Sequence, residues 1–353
     1  MHIPDGFINA PTSLAAGAVA VVGIGVCLRG ARRELDERTA PMAGLVAAFV
    51  FALQMLNFPV AAGTSGHLLG GTLAAILVGP YTGALCVSVV LLVQGLLFAD
   101  GGPSALGLNI VIMAFTTAAV GWSVHRLVLM VLPKRDASLP PAAFVGALLS
   151  VPAAAVVFCV VYAIGGETKV PFGTVFGAMV GVHLLIGIGE ALITAAAVSA
   201  VLAARRDLVF AARTLQSPAA AARAARSGEP AAGRATGPRR LGLFGAGAVL
   251  VALCLAGGVS FYASSHPDGL EKVAGDKGFN AQERDSATAD SPLADYSTAN
   301  VDNPRLSVGI AGVIGVVATL AVGTAIFVVA RRRGGSGPTD ATPPAPQTPA
   351  SVG

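Results

Sequence analysis

The chain has 353 residues, of which 54% are hydrophobic and only 12% charged, with a mean hydropathy of +0.73. Soluble domains carry about twice that charge, roughly 25%, so a soluble enzyme, a disordered chain and a nucleic-acid binder are excluded. The pI of about 9.1 does not restore the last of these, because the basic residues follow membrane topology and form no binding stripe.

A membrane-spanning helix takes about 20 mostly apolar residues. Such runs fall at 12–29, 41–58, 81–98, 105–132, 141–164, 174–203, 241–262 and 307–330, and a shorter one at 66–79. Topology decides whether the short run crosses, because Lys and Arg are retained on the cytoplasmic side. If it does, there are nine crossings, the N-terminus is extracytoplasmic, and 18 of 23 basic residues lie inside. These are Arg29, Arg32, Arg33 and Arg38, then Arg126, Lys134 and Arg135, eight arginines between 205 and 240, and Arg331 to Arg333. Only Lys169, Lys272, Lys277, Arg284 and Arg305 stay outside. Without that crossing, the first arginine cluster and the 205–240 cluster would face opposite sides.

The expected fold is therefore all-α and polytopic: a seven-helix bundle followed by two further transmembrane helices, in the cell membrane and surrounded by lipid. Residues 1–203 form the first unit, 204–240 a flexible basic cytoplasmic linker with a frayed helix as its alternative, and 334–353 a disordered tail. Residues 241–333 place two helices around an outer segment, 263–306, that holds eight acids and four bases. The start MHIPDGF has no Lys or Arg, unlike the charged n-region of a secretory signal. Cys27, Cys86, Cys159 and Cys254 stand singly in apolar runs, which argues against a disulfide framework or a zinc knuckle.

Chemistry concentrates at the N-terminus. His2 is too large to favour methionine removal, so Met1 keeps a free amine. That amine, the His2 peptide nitrogen and His2 Nδ1 can chelate one metal through fused five- and six-membered rings. Three coplanar nitrogens suit Ni(II) or Cu(II), and a fourth imidazole is the natural complement. His67 is the candidate, expected to open the third helix on the same outer side, with Thr64 or Ser65 as its cap. Pro4 and Gly6 let the N-terminal segment turn back into the bundle. The alternative is an accidental His2 and a hydrogen-bonded His67.

Other polar residues in the apolar runs are functional candidates by default. Asn57 and Asn109, near the outer face, are expected to orient the ligands, as is Ser65; Gln54 lies close to the loop before His67. His183 and Glu190 stand seven apart on one helix face; interhelical hydrogen bonding is favoured over a role at the metal. His125 reads as a snorkelling interfacial residue beside Arg126. His266 reads as a loop-stabilising residue, with metal capture as its alternative.

MHIPDGFI, NFPVAAGTSGHLLGG, DGGPSALGLNIVIMA and GVHLLIGIGEALIT, in that order, resemble the CbiM/NikM family. The resemblance covers residues 1 to about 203. It implies the substrate-binding subunit of an energy-coupling factor importer for nickel or cobalt, built on the S-component bundle, with the ion held by Met1, His2 and His67. SSHPDGLEKVAGDKGF and PLADYS resemble the two-span NikN/CbiN-like accessory subunit with its PDGLE motif. That segment, with Asp268 and Glu271, is expected to open or lid the site. No GxxxxGK[ST] sequence occurs, so the chain carries no ATPase of its own. The partners implied are a membrane coupling subunit and cytoplasmic ATPases; the transported Ni2+ or Co2+ is cargo, and no cofactor is implied. Nickel is favoured by nitrogen ligation, with cobalt uptake for cobalamin biosynthesis as the alternative. Outside this class stands an intramembrane metal-dependent enzyme built on His183 and Glu190.

Overall fold

Asn9 starts the first helix, α1 (Ala10–Glu34): its side chain accepts from the Thr12 N–H at 3.0 Å, and Pro11 occupies the first turn, where no intrahelical donor is needed. The computed structural model describes residues 1–35, 39–61, 63–168, 170–215 and 238–332. Arg38, Lys169, Arg333, most of the expected linker and the tail 334–353 lie outside them. Leu14, Val19, Val21 and Val22 of α1 are largely exposed. In water so large an apolar face would be an association surface; in a bilayer it is the wall that meets lipid.

The other crossings are α2 (Thr39–Gln54), a composite third, α4 (Pro80–Leu97), α5 (Pro103–Val131), α6 (Leu139–Gly165) and α7 (Phe172–Arg205). Then come α9 (Pro238–Cys254), continuing to Tyr262, and the last helix, α11 (Pro304–Arg332). Seven described helices are long and apolar enough to span a membrane, while α2 has 16 residues. This is a multi-pass, all-helical membrane protein. The last helix docks on α2 through small residues: a Cβ added at Gly44 would stand 2.3 Å from Thr324 Oγ1. Residues 206–215, expected to be part of the flexible linker, hold a short helix, α8 (Phe210–Thr214), whose Ala211 and Ala212 are buried.

The third crossing corrects an expectation. Its helix, α3, covers only Gly71–Val78, eight residues or about 12 Å, against a hydrocarbon core of about 30 Å. His67 does not open that helix. Residues 65–70 run irregular and buried instead, adding roughly 3.3 Å per residue where extended, and the cap is Gly70 in the left-handed region (φ 82°), not Thr64 or Ser65.

Non-helical backbone at membrane depth survives only where protein satisfies it, and here it does. Ser65 and Gly66 pair antiparallel with Pro59 and Phe58. The Leu69 and Gly70 N–H groups donate to the two Glu190 oxygens at 2.7 and 3.0 Å, and Gln54 Nε2 donates to the Leu69 carbonyl at 2.9 Å. Helices α2 and α7 thus hold the unwound segment open, and His67 sits within it.

His125 also differs from expectation. It is fully buried and stacks on Trp122 with ring centroids 5.8 Å apart. Its Cβ lies against α6 at Gly146, whereas only Arg126 beside it has the long stem that snorkelling needs. All four cysteines are free thiols, Cys254 exposed and the others buried.

Candidate metal centre

The N-terminal segment enters the bundle as an irregular strand, held by backbone contacts. Asn109 brackets Ile3: Oδ1 accepts from its N–H at 2.8 Å and Nδ2 donates to its carbonyl at 3.2 Å. Gly102 N–H donates to the same carbonyl at 3.0 Å, and a Cβ at Gly102 would strike Asp5 Oδ1 at 2.0 Å. The glycine pair of the DGG loop is thus what lets the strand lie so close. Met1 is 3% exposed.

The Met1 α-amino nitrogen lies 2.6 Å from His67 Nε2. His67 Nδ1 is 3.0 Å from the Leu68 carbonyl oxygen, which can only accept, so the proton sits on Nδ1 and Nε2 presents its lone pair. The His2 ring stacks on that of His67 with centroids 5.1 Å apart. His2 Nδ1 is 3.1 Å from Asp100 Oδ1 and Nε2 is 3.1 Å from Gln94 Oε1. Burial pushes the His2 pKa down to about 4, against the opposing pull of Asp100. Its ring is therefore neutral at physiological pH, the form that binds metal.

The PDGLE segment reaches into this cluster. Asp268 caps α10 (Gly269–Lys277): Oδ1 accepts from Leu270 and Glu271 N–H at 2.7 and 3.0 Å, while Glu271 returns a contact to the Asp268 N–H at 2.9 Å. Oδ2 is left to pair with the Met1 amine, and it lies 3.6 Å from His67 Nε2. Burial alone would raise the Asp268 pKa, but the positively charged Met1 amine beside it reverses this and holds it well below the usual carboxylate range.

Further bonds strap the outer segment to the bundle. Ser65 Oγ donates to the His266 carbonyl at 2.7 Å and Ser65 N–H to the Pro267 carbonyl at 2.9 Å. Ser264 N–H donates to the Asn57 carbonyl at 2.7 Å, and Arg284 N–H to the Asp5 carbonyl at 2.9 Å. Beneath the strap lies a cavity of about 780 Å³ with His2, His67 and several acids in its wall.

The structure thus brings Met1, His2, His67 and Asn109 together. Asn57 and Ser65 act on the outer segment instead. His266 is exposed and contacts Ser264 within its own loop. Glu190 bonds across to the backbone leading into α3, whereas His183 contacts the Met179 carbonyl of its own helix and not the neighbouring helix expected for it. Both Glu190 oxygens are committed to backbone amides, which removes it as a free catalytic base. Asp268, Asp100 and Gln94 complete the cluster; the D-G-L-E capping box was readable in the sequence, its aim at Met1 was not. Among the described residues no three His, Cys, Asp or Glu side chains form a metal cage.

The family described as "Cobalt uptake substrate-specific transmembrane region" (CbiM) matches residues 2–208, and the PDGLE domain matches residues 243–332. A putative fused nickel transport protein NikMN of Archaeoglobus fulgidus is 34% identical over 334 residues, covering 94% of this chain and 99% of that protein. A putative metal transport protein of Haloquadratum walsbyi is 38% identical over 213 residues, 60% of this chain and 94% of that protein. A crystal structure described as a transition metal transporter has 29% identity and a TM-score of 0.52, covering 57% of this chain and 93% of that one.

Proposed function

Since the chain belongs to the CbiM family of cobalt-uptake transmembrane regions, with a PDGLE domain behind it, we propose that it captures Ni(II) for an ATP-driven energy-coupling factor importer. The donors are the Met1 amine, the His2 amide nitrogen, His2 Nδ1 and His67 Nε2. The supporting observation is the 2.6 Å approach of the amine to His67 Nε2 under the stacked His2 ring. Cis donors on bonds of about 2.0–2.1 Å stand roughly 2.9 Å apart, so little movement is needed. Closing the chelate exchanges the contacts of His2 Nδ1 with Asp100 and of the amine with Asp268 for bonds to the ion. The amide nitrogen would give up its proton to water in the outer cavity as it binds the ion.

Four nitrogens in a plane favour Ni(II), and the fused relative from Archaeoglobus is named for nickel. Cobalt is the second reading, because Asp268 Oδ2 offers an oxygen donor beside the nitrogens, which moves the set away from square-planar. Residues 1–203 capture the ion, and the PDGLE unit governs access from outside. A membrane coupling subunit and cytoplasmic ATPases supply the energy.

The test is nickel retention by purified full-length protein. Wild type should hold one Ni(II) per chain, and His67→Ala should lose high-affinity binding while still inserting and folding. Equal retention by the two sinks the assignment.

A further inference from the structure

His183 on α7 repeats the arrangement that marks His67 as a ligand. Its Nδ1 lies 2.8 Å from the Met179 carbonyl one turn earlier. A carbonyl only accepts, so the proton resides on Nδ1 and Nε2 carries a bare lone pair; a backbone carbonyl is one of the partners that orient metal-binding histidines in this way. Nε2 is fully buried and has no hydrogen-bond partner among the described residues. Buried polar atoms without partners are rare enough that each calls for an explanation.

The surroundings provide one. A small cavity of about 10 Å³ lies against Met1, His67, Asp268 and His183, room for about one water-sized particle. Gly269, the residue after Asp268, rests directly on the His183 ring: an added Cβ there would stand 3.0 Å from Cε1. Two helical turns, about 10 Å, further along α7 lies Glu190, which holds the unwound Leu69–Gly70 backbone. The capture donors, the cavity and His183 are therefore contiguous, beside the partly unwound backbone that leads into α3.

We propose that His183 Nε2 is a transit ligand: a second station that accepts the divalent ion as it leaves the Met1–His2–His67 chelate for the bundle interior. This rests on the capture role assigned above. An imidazole lone pair replaces a nitrogen donor as the chelate opens, so the ion never passes through the apolar interior without a ligand. The PDGLE segment, whose Asp268 pairs with the Met1 amine and whose Gly269 rests on the His183 ring, links opening of the chelate to that transfer.

Two substitutions separate ligand chemistry from packing. His183→Asn keeps a side-chain N–H for the Met179 carbonyl and removes the donor at Nε2; His183→Cys restores a metal-binding atom in a small side chain. Nickel content is measured on the purified full-length chain, and uptake of radioactive Ni(II) on the whole importer in proteoliposomes. Both variants should load nickel within about twofold of wild type. His183→Asn should lose at least tenfold in uptake, and His183→Cys should recover most of it. Uptake by His183→Asn at the wild-type rate overturns the proposal, as does equal failure of both variants with normal loading. Loss of loading in both overturns it too, by making His183 a support of the capture site. Normal loading by His67→Ala, which leaves His183 untouched, instead overturns the capture site and the transit step with it.

Discussion

At the outer end of the bundle, His67 and Asp268 each have one polar atom tied to backbone and one left to act. His67 gives Nδ1 to the Leu68 carbonyl and keeps Nε2; Asp268 gives Oδ1 to the α10 cap and keeps Oδ2. Anchoring the first atom removes rotamer freedom, so the second is aimed before an ion arrives. The two functions of Asp268 can be separated. Asp268→Asn keeps an oxygen for the cap but removes the charge facing the Met1 amine, while Asp268→Ala removes both. Thermal unfolding should show a further loss of about 1 kcal/mol for Ala over Asn, the usual worth of a helix cap. Both should expose the outer segment to protease relative to wild type. Identical stability of the two variants would mean that the cap contributes nothing.

The third crossing is the element on which the site depends. A regular helix through residues 65–70 would turn successive side chains about 100° apart and bury the His67 ring among its neighbours. An unwound segment presents it to the N-terminus and relies on α2 and α7 for its hydrogen bonds. Glu190 is the larger part of that support, because one carboxylate serves two N–H groups. Glu190→Gln leaves one oxygen for two donors and points an amide N–H at the other. A stranded buried donor costs about 1–3 kcal/mol, so the melting temperature should fall and nickel affinity with it, since His67 is three residues from Gly70. Calorimetry and nickel titration on the same preparation check this. Unchanged affinity at lowered stability would show that His67 is positioned without the carboxylate.

For the whole molecule, the two units share more than a linker. The last helix packs on α2 through Gly44 and Thr324, and the outer segment bonds to Asn57, Ser65, Asp5 and the Met1 amine. Yet every proposed nitrogen donor lies within residues 1–203. A chain ending after Leu215, which keeps α8, should therefore still load nickel, within about tenfold of full length, but fail to support uptake by the assembled importer. Complete loss of binding would show that Asp268 and its segment are part of the capture site itself.

The sequence alone determined the class of molecule and its route through the membrane. Apolar run lengths and the side preference of Lys and Arg are one-dimensional properties imposed by the bilayer, so the apolar helices could be placed without coordinates, and seven described ones are long enough to span it. Met1 and His2 were legible as candidates for a related reason: the chelate proposed for them is made by adjacent residues and is local chemistry. Asn109 was legible as a residue near the site, though not as the clamp on Ile3. What only the tertiary structure decided is how distant atoms meet. A run of 14 apolar residues looks the same whether it is helical throughout or half unwound, because the deciding partner, Glu190, lies 121 positions away from Leu69. The approach of Asp268 to Met1 spans 267 positions. His125 and His183 stand in similar apolar runs, yet one stacks on Trp122 and the other faces the cavity beneath the capture donors. The local sequence carries no record of which long-range partner will be present, and for a buried polar atom that partner sets its role.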